Sequence, residues 1–247
     1  MRFQAAAEFL LSWLALNFLP KLSKRGQALV FFVTDRKNLP TASPANLLGK
    51  IRDAAVAGCD FVHIREKDLN AQALLQLARE AVSVARAAGS QGVIVNDRLD
   101  VALAAGAHGV HLGGVSLAAG DVTRWASTGR APADFLVGVS CHSLEDAQGA
   151  EKDGADYVFF GPVFDTPSKR SFGLPQGLDR LREACRAVKI PVVAIGGVNE
   201  KNASECVKAG AAGIAAIRMF QEAANVESLR TAISRIHAVG REQAGDG

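Results

Sequence analysis

Several short stretches of the chain end an apolar run on residues that carry chemistry. HIREKD (His63 to Asp68) closes on Arg65, Glu66 and Lys67, and VNDRLD (Val95 to Asp100) on Asn96, Asp97 and Arg98. VSCHSLED supplies Ser140, Cys141 and His142, and FFGPVFDTPSKRSFG supplies Thr166, Ser168 and Lys169. AIGG ends on Gly196 and Gly197, and AAIR ends on Arg218. An arginine grips a phosphate or diphosphate through two parallel hydrogen bonds, and a lysine adds a point charge. Arg65 and Lys67 therefore suit an anionic ligand, or Arg65 pairs with Glu66 or Asp97. Asp97 reads equally as a metal ligand, a polar anchor or the cap of a helix starting at Arg98. His142, beside the helix cap Ser143, is free to act as a general acid or base near neutral pH, with His63 as its competitor. Cys141 is discounted as a nucleophile, because adjacent strand residues face opposite sides.

These residues need a scaffold that gathers strand ends. AGCDFVHI, AGAHGVHL, DGADYVFF and AGAAGIAA begin at Ala57, Ala105, Asp153 and Ala209, and each joins a glycine helix stop to a short apolar strand. Between them lie ALVFFVTD, GVIVND, FLVGVS and PVVAIGG, which brings the strands to eight. Helical patterns fill the gaps, so the sequence predicts a parallel α/β fold, a single (β/α)8 TIM barrel, over a doubly wound open sheet. In such barrels the loops after the strands form the site. A glycine turn after strand 7 and a short helix after strand 8, at Arg218, make the recurrent phosphate site of the fold. The long loop after strand 6 reads as closing over a phosphorylated ligand.

A chain of 247 residues with 49% hydrophobic residues supports one large core. The net charge of +3 and the scattered basic residues exclude a nucleic-acid surface. The four cysteines show no C-x-x-C spacing, which suits a reducing cytoplasm. The apolar run Phe9 to Leu19 is too short to span a membrane. It reads as an extra helix with Phe3, Leu10, Leu14 and Phe18 on one side. The expected organisation is an N-terminal extension over 1–26, a barrel over 27–240 and a flexible tail over 241–247. Self-association is left open.

HIREKD, VNDRLDVAL, GVHLG, GVSCHSLEDA, AEKDGADYVFFGPVFDTPSK, QGLDRL and IPVVAIGGV together resemble the thiamine phosphate synthase and TenI family over roughly Leu29 to Ile236. The resemblance implies thiamine biosynthesis on a phosphorylated thiazole. It implies diphosphate contacts at Arg65, Lys67 and Lys169, a magnesium ligand at Asp97, thiazole-phosphate contacts at Thr166 and Ser168, and a phosphate loop at Gly196 and Gly197. Synthases join a pyrimidine diphosphate to a thiazole phosphate with Mg²⁺, whereas the TenI branch performs a proton shift without a cofactor, using a histidine at the place of His142. Three residues depart from the synthase pattern. Ser116 stands where a second magnesium carboxylate is usual, His63 where glutamine is usual, and Arg218 where a small residue is usual. These departures favour the tautomerase, with the synthase and a non-catalytic thiazole-phosphate binder as alternatives.

Overall fold

The structure is a computed structural model that describes residues 22, 26–166 and 174–245. Eight parallel strands close into a barrel in sequence order. They are β1 Leu29–Val33, β2 Phe61–Ile64, β3 Gly92–Asn96, β4 Gly109–Leu112, β5 Leu136–Cys141, β6 Tyr157–Phe160, β7 Val192–Ile195 and β8 Gly213–Ala216. The crossovers carry α1 Pro44–Val56, α2 Ala71–Ala87, α3 Leu99–Ala105, α4 Ala119–Trp125, α5 Leu144–Lys152, α6 Gly177–Ala187 and α7 Ala203–Lys208. The short α8 Arg218–Gln221 and the long α9 Val226–Gly245 follow β8. The barrel expected from the sequence is the barrel observed. The terminal helix runs on past residue 240, where a tail was expected. The expected N-terminal helix, with Phe3, Leu10, Leu14 and Phe18, lies outside the described residues, as do Ser168 and Lys169.

The internal repeat has a conformational cause. Gly58, Gly106, Gly154 and Gly210 all have positive φ, between 66° and 104°, a region that costs glycine little and other residues much. Each lets a helix stop and reverse into the next strand.

Strand alternation then divides the side chains. Leu29, Phe31 and Val33 of β1 join Phe61, Ile94, Tyr157, Phe159 and Val193 inside the barrel, and Leu22 is buried with them. Val30 and Phe32 face the helices. The same period turns His63, Asn96, His111, Ser140 and Phe159 inward near the C-terminal ends of their strands. Strand register sets Asn96 beside His111 and Ser140 beside Phe159.

Candidate active site

A cavity of about 1330 Å³ opens at the C-terminal end of the barrel. Arg65, Lys67, Asn96, Asp97, Ser140, His142, Thr166, Gly196, Gly197 and Arg218 line it, so every candidate residue among the described ones reaches one mouth.

Arg65 and Lys67 are presented by a built corner. Glu66, 5% exposed, accepts from the Thr34 hydroxyl at 2.7 Å, from the Arg36 backbone N–H at 3.1 Å and from the Arg36 guanidinium at 3.0 Å. Arg36 also pairs with Asp68 at 2.6 and 2.7 Å, which raises the guanidinium pKa and holds the Asp68 carboxyl well below the usual carboxylate range. Thr34 Oγ1 in turn accepts the Arg65 backbone N–H at 2.9 Å. Glu66 therefore pairs with Arg36 and not with Arg65, contrary to the ion-pair reading from sequence. Among the described residues the Arg65 side chain has no carboxylate partner, and it lines the cavity. The signal for this corner was the polar run Thr34 to Asn38 after β1.

Asp97 has φ of 60°, a left-handed conformation that aspartate tolerates better than most residues. This turns its carboxylate away from α3, whose N-cap is Arg98 with no side-chain cap bond. The helix-capping reading of Asp97 is thus corrected. Asp97 instead accepts from the Asn96 amide at 2.5 Å and from the Ser116 hydroxyl, and Ser116 Oγ also accepts the Gly113 N–H at 2.6 Å. Among the described residues no three His, Cys, Asp or Glu side chains cluster as a metal site. Asp97 and Ser116 are nonetheless hard oxygen donors, and Mg²⁺ commonly takes one or two carboxylates with phosphate oxygens completing its shell. The donor set fits Mg²⁺ held jointly with a diphosphate.

His142 is exposed and its ring is oriented from below. Nδ1 lies 2.5 Å from the carbonyl of Gly161, so it carries the proton and donates, leaving Nε2 as an acceptor at the mouth. Its backbone N–H donates to Asp146 at 2.9 Å, and Ser143 caps α5 through the Asp146 N–H at 3.0 Å, as the sequence predicts. The neighbouring Cys141 is fully buried, and burial pushes its thiol up to about 12.

His63 differs from expectation. It is 2% exposed, neither ring nitrogen completes a hydrogen bond, and its ring packs 4.8 Å from His111 and 5.7 Å from Phe159. Burial, with the charges of Arg65 and Lys67, pushes its pKa down to about 3, partly offset by Asn96. It is a neutral ring in the floor, unsuited to shuttle protons near neutral pH. His111 is also buried, at 1% exposure.

The opposite wall is the glycine turn. Gly196 and Gly197 have φ of 92° and 68°. A Cβ on Gly196 would stand 2.5 Å from Pro162, and one on Gly197 2.7 Å from the Asp165 carbonyl. The carbonyl of Gly196 accepts from Phe164 N–H at 2.9 Å, and that of Gly197 from the side chains of Asn202 at 3.1 Å and Asn199 at 3.3 Å. With both carbonyls tied back, peptide planarity turns the N–H groups of Gly197 and Val198 the other way. Arg218, exposed at the first position of α8, faces the same cavity.

Comparison with known proteins agrees with this geometry. The sequence profile of the family described as thiamine monophosphate synthase matches residues 30–220. The thiamine-phosphate synthase of Roseiflexus castenholzii is 39% identical over 213 residues, covering 86% of this chain and 90% of the relative. That of Methanocella arvoryzae is 44% identical over 195 residues, covering 77% and 89%. The structure of thiamine phosphate pyrophosphorylase from Pyrococcus furiosus superposes with a TM-score of 0.73 at 32% identity, covering 88% of this chain and 98% of that one. The resemblance seen at the strand ends therefore extends through the barrel, and the chain belongs to the thiamine monophosphate synthase/TenI family.

Proposed function

We propose that the chain is a thiamine-phosphate synthase, joining a pyrimidine diphosphate to a thiazole phosphate. The observation that carries this reading is that two groups of residues suited to anions line one cavity: Arg65 and Lys67 beside Asp97, and the Gly196–Gly197 turn with Arg218. A diphosphate and a phosphate on separate substrates need both walls. A tautomerase acting on a 2-carboxythiazole phosphate brings only a single carboxylate to the first wall, less charge than Arg65 and Lys67 with a metal-binding Asp97 are arranged to meet. The reading is supported by relatives named thiamine-phosphate synthase, and it sets aside the preference for a tautomerase drawn from His63 and Ser116. His63 loses its weight in that preference because it is buried and neutral.

In this reading Arg65 and Lys67 grip the diphosphate, oriented by the Glu66–Arg36 corner. The bond between the pyrimidine methylene carbon and the diphosphate oxygen breaks, and its electron pair leaves with diphosphate. The thiazole nitrogen lone pair forms the new C–N bond, with the thiazole phosphate held at Gly197 and Val198. Asp97 and Ser116 would hold Mg²⁺, which when bound neutralises diphosphate charge and eases its departure. The apolar floor of Phe159, Ile195 and the His63 ring keeps water from the carbon that the diphosphate leaves.

The TenI-like proton shift is retained as a second reading on one observation. His142, with Nδ1 donating to Gly161 O and Nε2 unoccupied by other described residues, is an acid-base group already in the accepting tautomer. One assay separates the two. Purified protein is supplied with pyrimidine diphosphate, thiazole phosphate and Mg²⁺, or with a 2-carboxythiazole phosphate tautomer alone, and products are followed by mass and ultraviolet spectra. The proposed function expects thiamine phosphate in the first mixture; conversion only in the second would replace it.

A further inference from the structure

Beneath the cavity runs a chain of hydrogen-bonded polar side chains. His111 Nδ1 lies 3.1 Å from the Tyr157 hydroxyl, and His111 Nε2 lies 2.9 Å from Ser140 Oγ. Tyr157 is fully buried, and its phenol reaches His111 because β5 has glycine at 138. A Cβ there would stand 2.2 Å from the ring and 2.5 Å from the hydroxyl. Ser140 is the member of the chain that lines the cavity.

We infer that Tyr157 and His111 act as positioning residues that fix Ser140 as a hydrogen-bond donor, so that the ligand atom met by Ser140 is an acceptor. The Tyr157 hydroxyl has no other hydrogen-bond partner among the described residues. A buried hydroxyl left without an acceptor is disfavoured, so Tyr157 donates to His111 Nδ1. A nitrogen that accepts carries no hydrogen of its own, so the His111 ring in this arrangement is neutral. A neutral imidazole that accepts at Nδ1 carries its one hydrogen on Nε2. That hydrogen goes to Ser140 Oγ, and the serine's own hydrogen is left to turn into the cavity. The opposite tautomer would strand the tyrosine hydrogen and make Ser140 donate inward to His111. On the proposed synthase reading, a ring nitrogen of the pyrimidine is an acceptor of the required kind.

The test has two arms, and the first does not depend on the proposed function. In protein labelled with ¹⁵N-histidine, long-range ¹H–¹⁵N correlation spectra should show His111 with a protonated Nε2 and an unprotonated Nδ1. In Tyr157→Phe, which retains the ring, that single tautomer should be lost. A protonated Nδ1 in the unmodified protein overturns the inference. In the second arm, hydroxymethylpyrimidine diphosphate is titrated into four proteins: unmodified, Ser140→Ala, Tyr157→Phe and the double variant. Each single change should weaken binding about tenfold, the usual weight of one hydrogen bond. Tyr157→Phe should add little in the Ser140→Ala background, because both changes remove the same interaction. Additive losses would mean a structural role only for Tyr157 and would overturn the inference. If the unmodified protein binds no pyrimidine diphosphate, the synthase reading fails, and the tautomer spectrum still decides this one.

Discussion

The hydroxyl of Ser116 donates to the carboxylate of Asp97, so a neutral side chain stands against the carboxylate that the family resemblance marks as a magnesium ligand. The hydrogen bond fixes the orientation of Asp97 and replaces a charge by a neutral donor. Beside Ser116, Asp97 is then the carboxylate available to a divalent cation among the described residues, and phosphate oxygens must supply most of the attraction.

This makes Mg²⁺ binding conditional. Calorimetry should find weak Mg²⁺ binding alone and clearly tighter binding with pyrophosphate present. Ser116→Asp should tighten Mg²⁺ binding about tenfold or more, since it restores a second carboxylate. Tight Mg²⁺ binding by the unmodified protein without any phosphate would contradict this description of the site.

The Glu66 corner should be felt in both stability and binding. Glu66→Gln keeps the shape but removes the charge that Arg36 faces. Urea unfolding should show a loss of roughly 1.5–3 kcal/mol, the range for hydrogen bonds to charged groups. The KM for the diphosphate substrate should rise more than kcat falls, because the change loosens the backbone that presents Arg65.

Much of this was legible in the chain. Gly58, Gly106, Gly154 and Gly210 announced the helix-to-strand period, and the chemistry fell at the ends of apolar runs, where barrel loops gather. What stayed hidden depends on pairing across distant strands. Nothing local says that Glu66 meets Arg36 instead of Arg65, because the choice is made by the β1–β2 register. Nor does local sequence say that Asp97 adopts a left-handed φ and turns to Ser116 instead of capping α3. His63 reads as a mouth residue because alternation gives direction but not depth. The depth of His63, and of His111 beside it, follows from barrel packing around Phe159.

That depth has a pH consequence. His63 titrates near 3 when folded and His111 well below its ordinary value, against about 6.5 unfolded. Below pH 6.5 the unfolded chain therefore binds more protons, so stability is lost as pH falls. The loss per histidine approaches about 1.4 kcal/mol per pH unit, and it stops once the folded ring also titrates. Urea titrations between pH 7 and 4 should show this acid limb, and His63→Gln should flatten it. An unchanged slope would place the His63 ring in a wetter setting than the barrel interior.

The glycine turn gives a sharper steric expectation. Gly197→Ala puts a Cβ 2.7 Å from the Asp165 carbonyl at a φ of 68°. Melting should fall by the equivalent of about 1–3 kcal/mol, the usual cost of such strain. Inorganic phosphate and thiazole phosphate should both bind more weakly, while pyrophosphate binding at Arg65 and Lys67 should change little.

In the proposed synthase reading, one cavity holds a diphosphate and a phosphate on facing walls so that two substrates are joined. It is tested most directly by single-turnover mixing of the purified protein with pyrimidine diphosphate, thiazole phosphate and Mg²⁺, followed by mass spectrometry. Thiamine phosphate and free diphosphate should appear in equal amounts, and both should fall steeply in Arg65→Ala. Diphosphate release without coupling, or no reaction from a protein that binds both substrates, would contradict it.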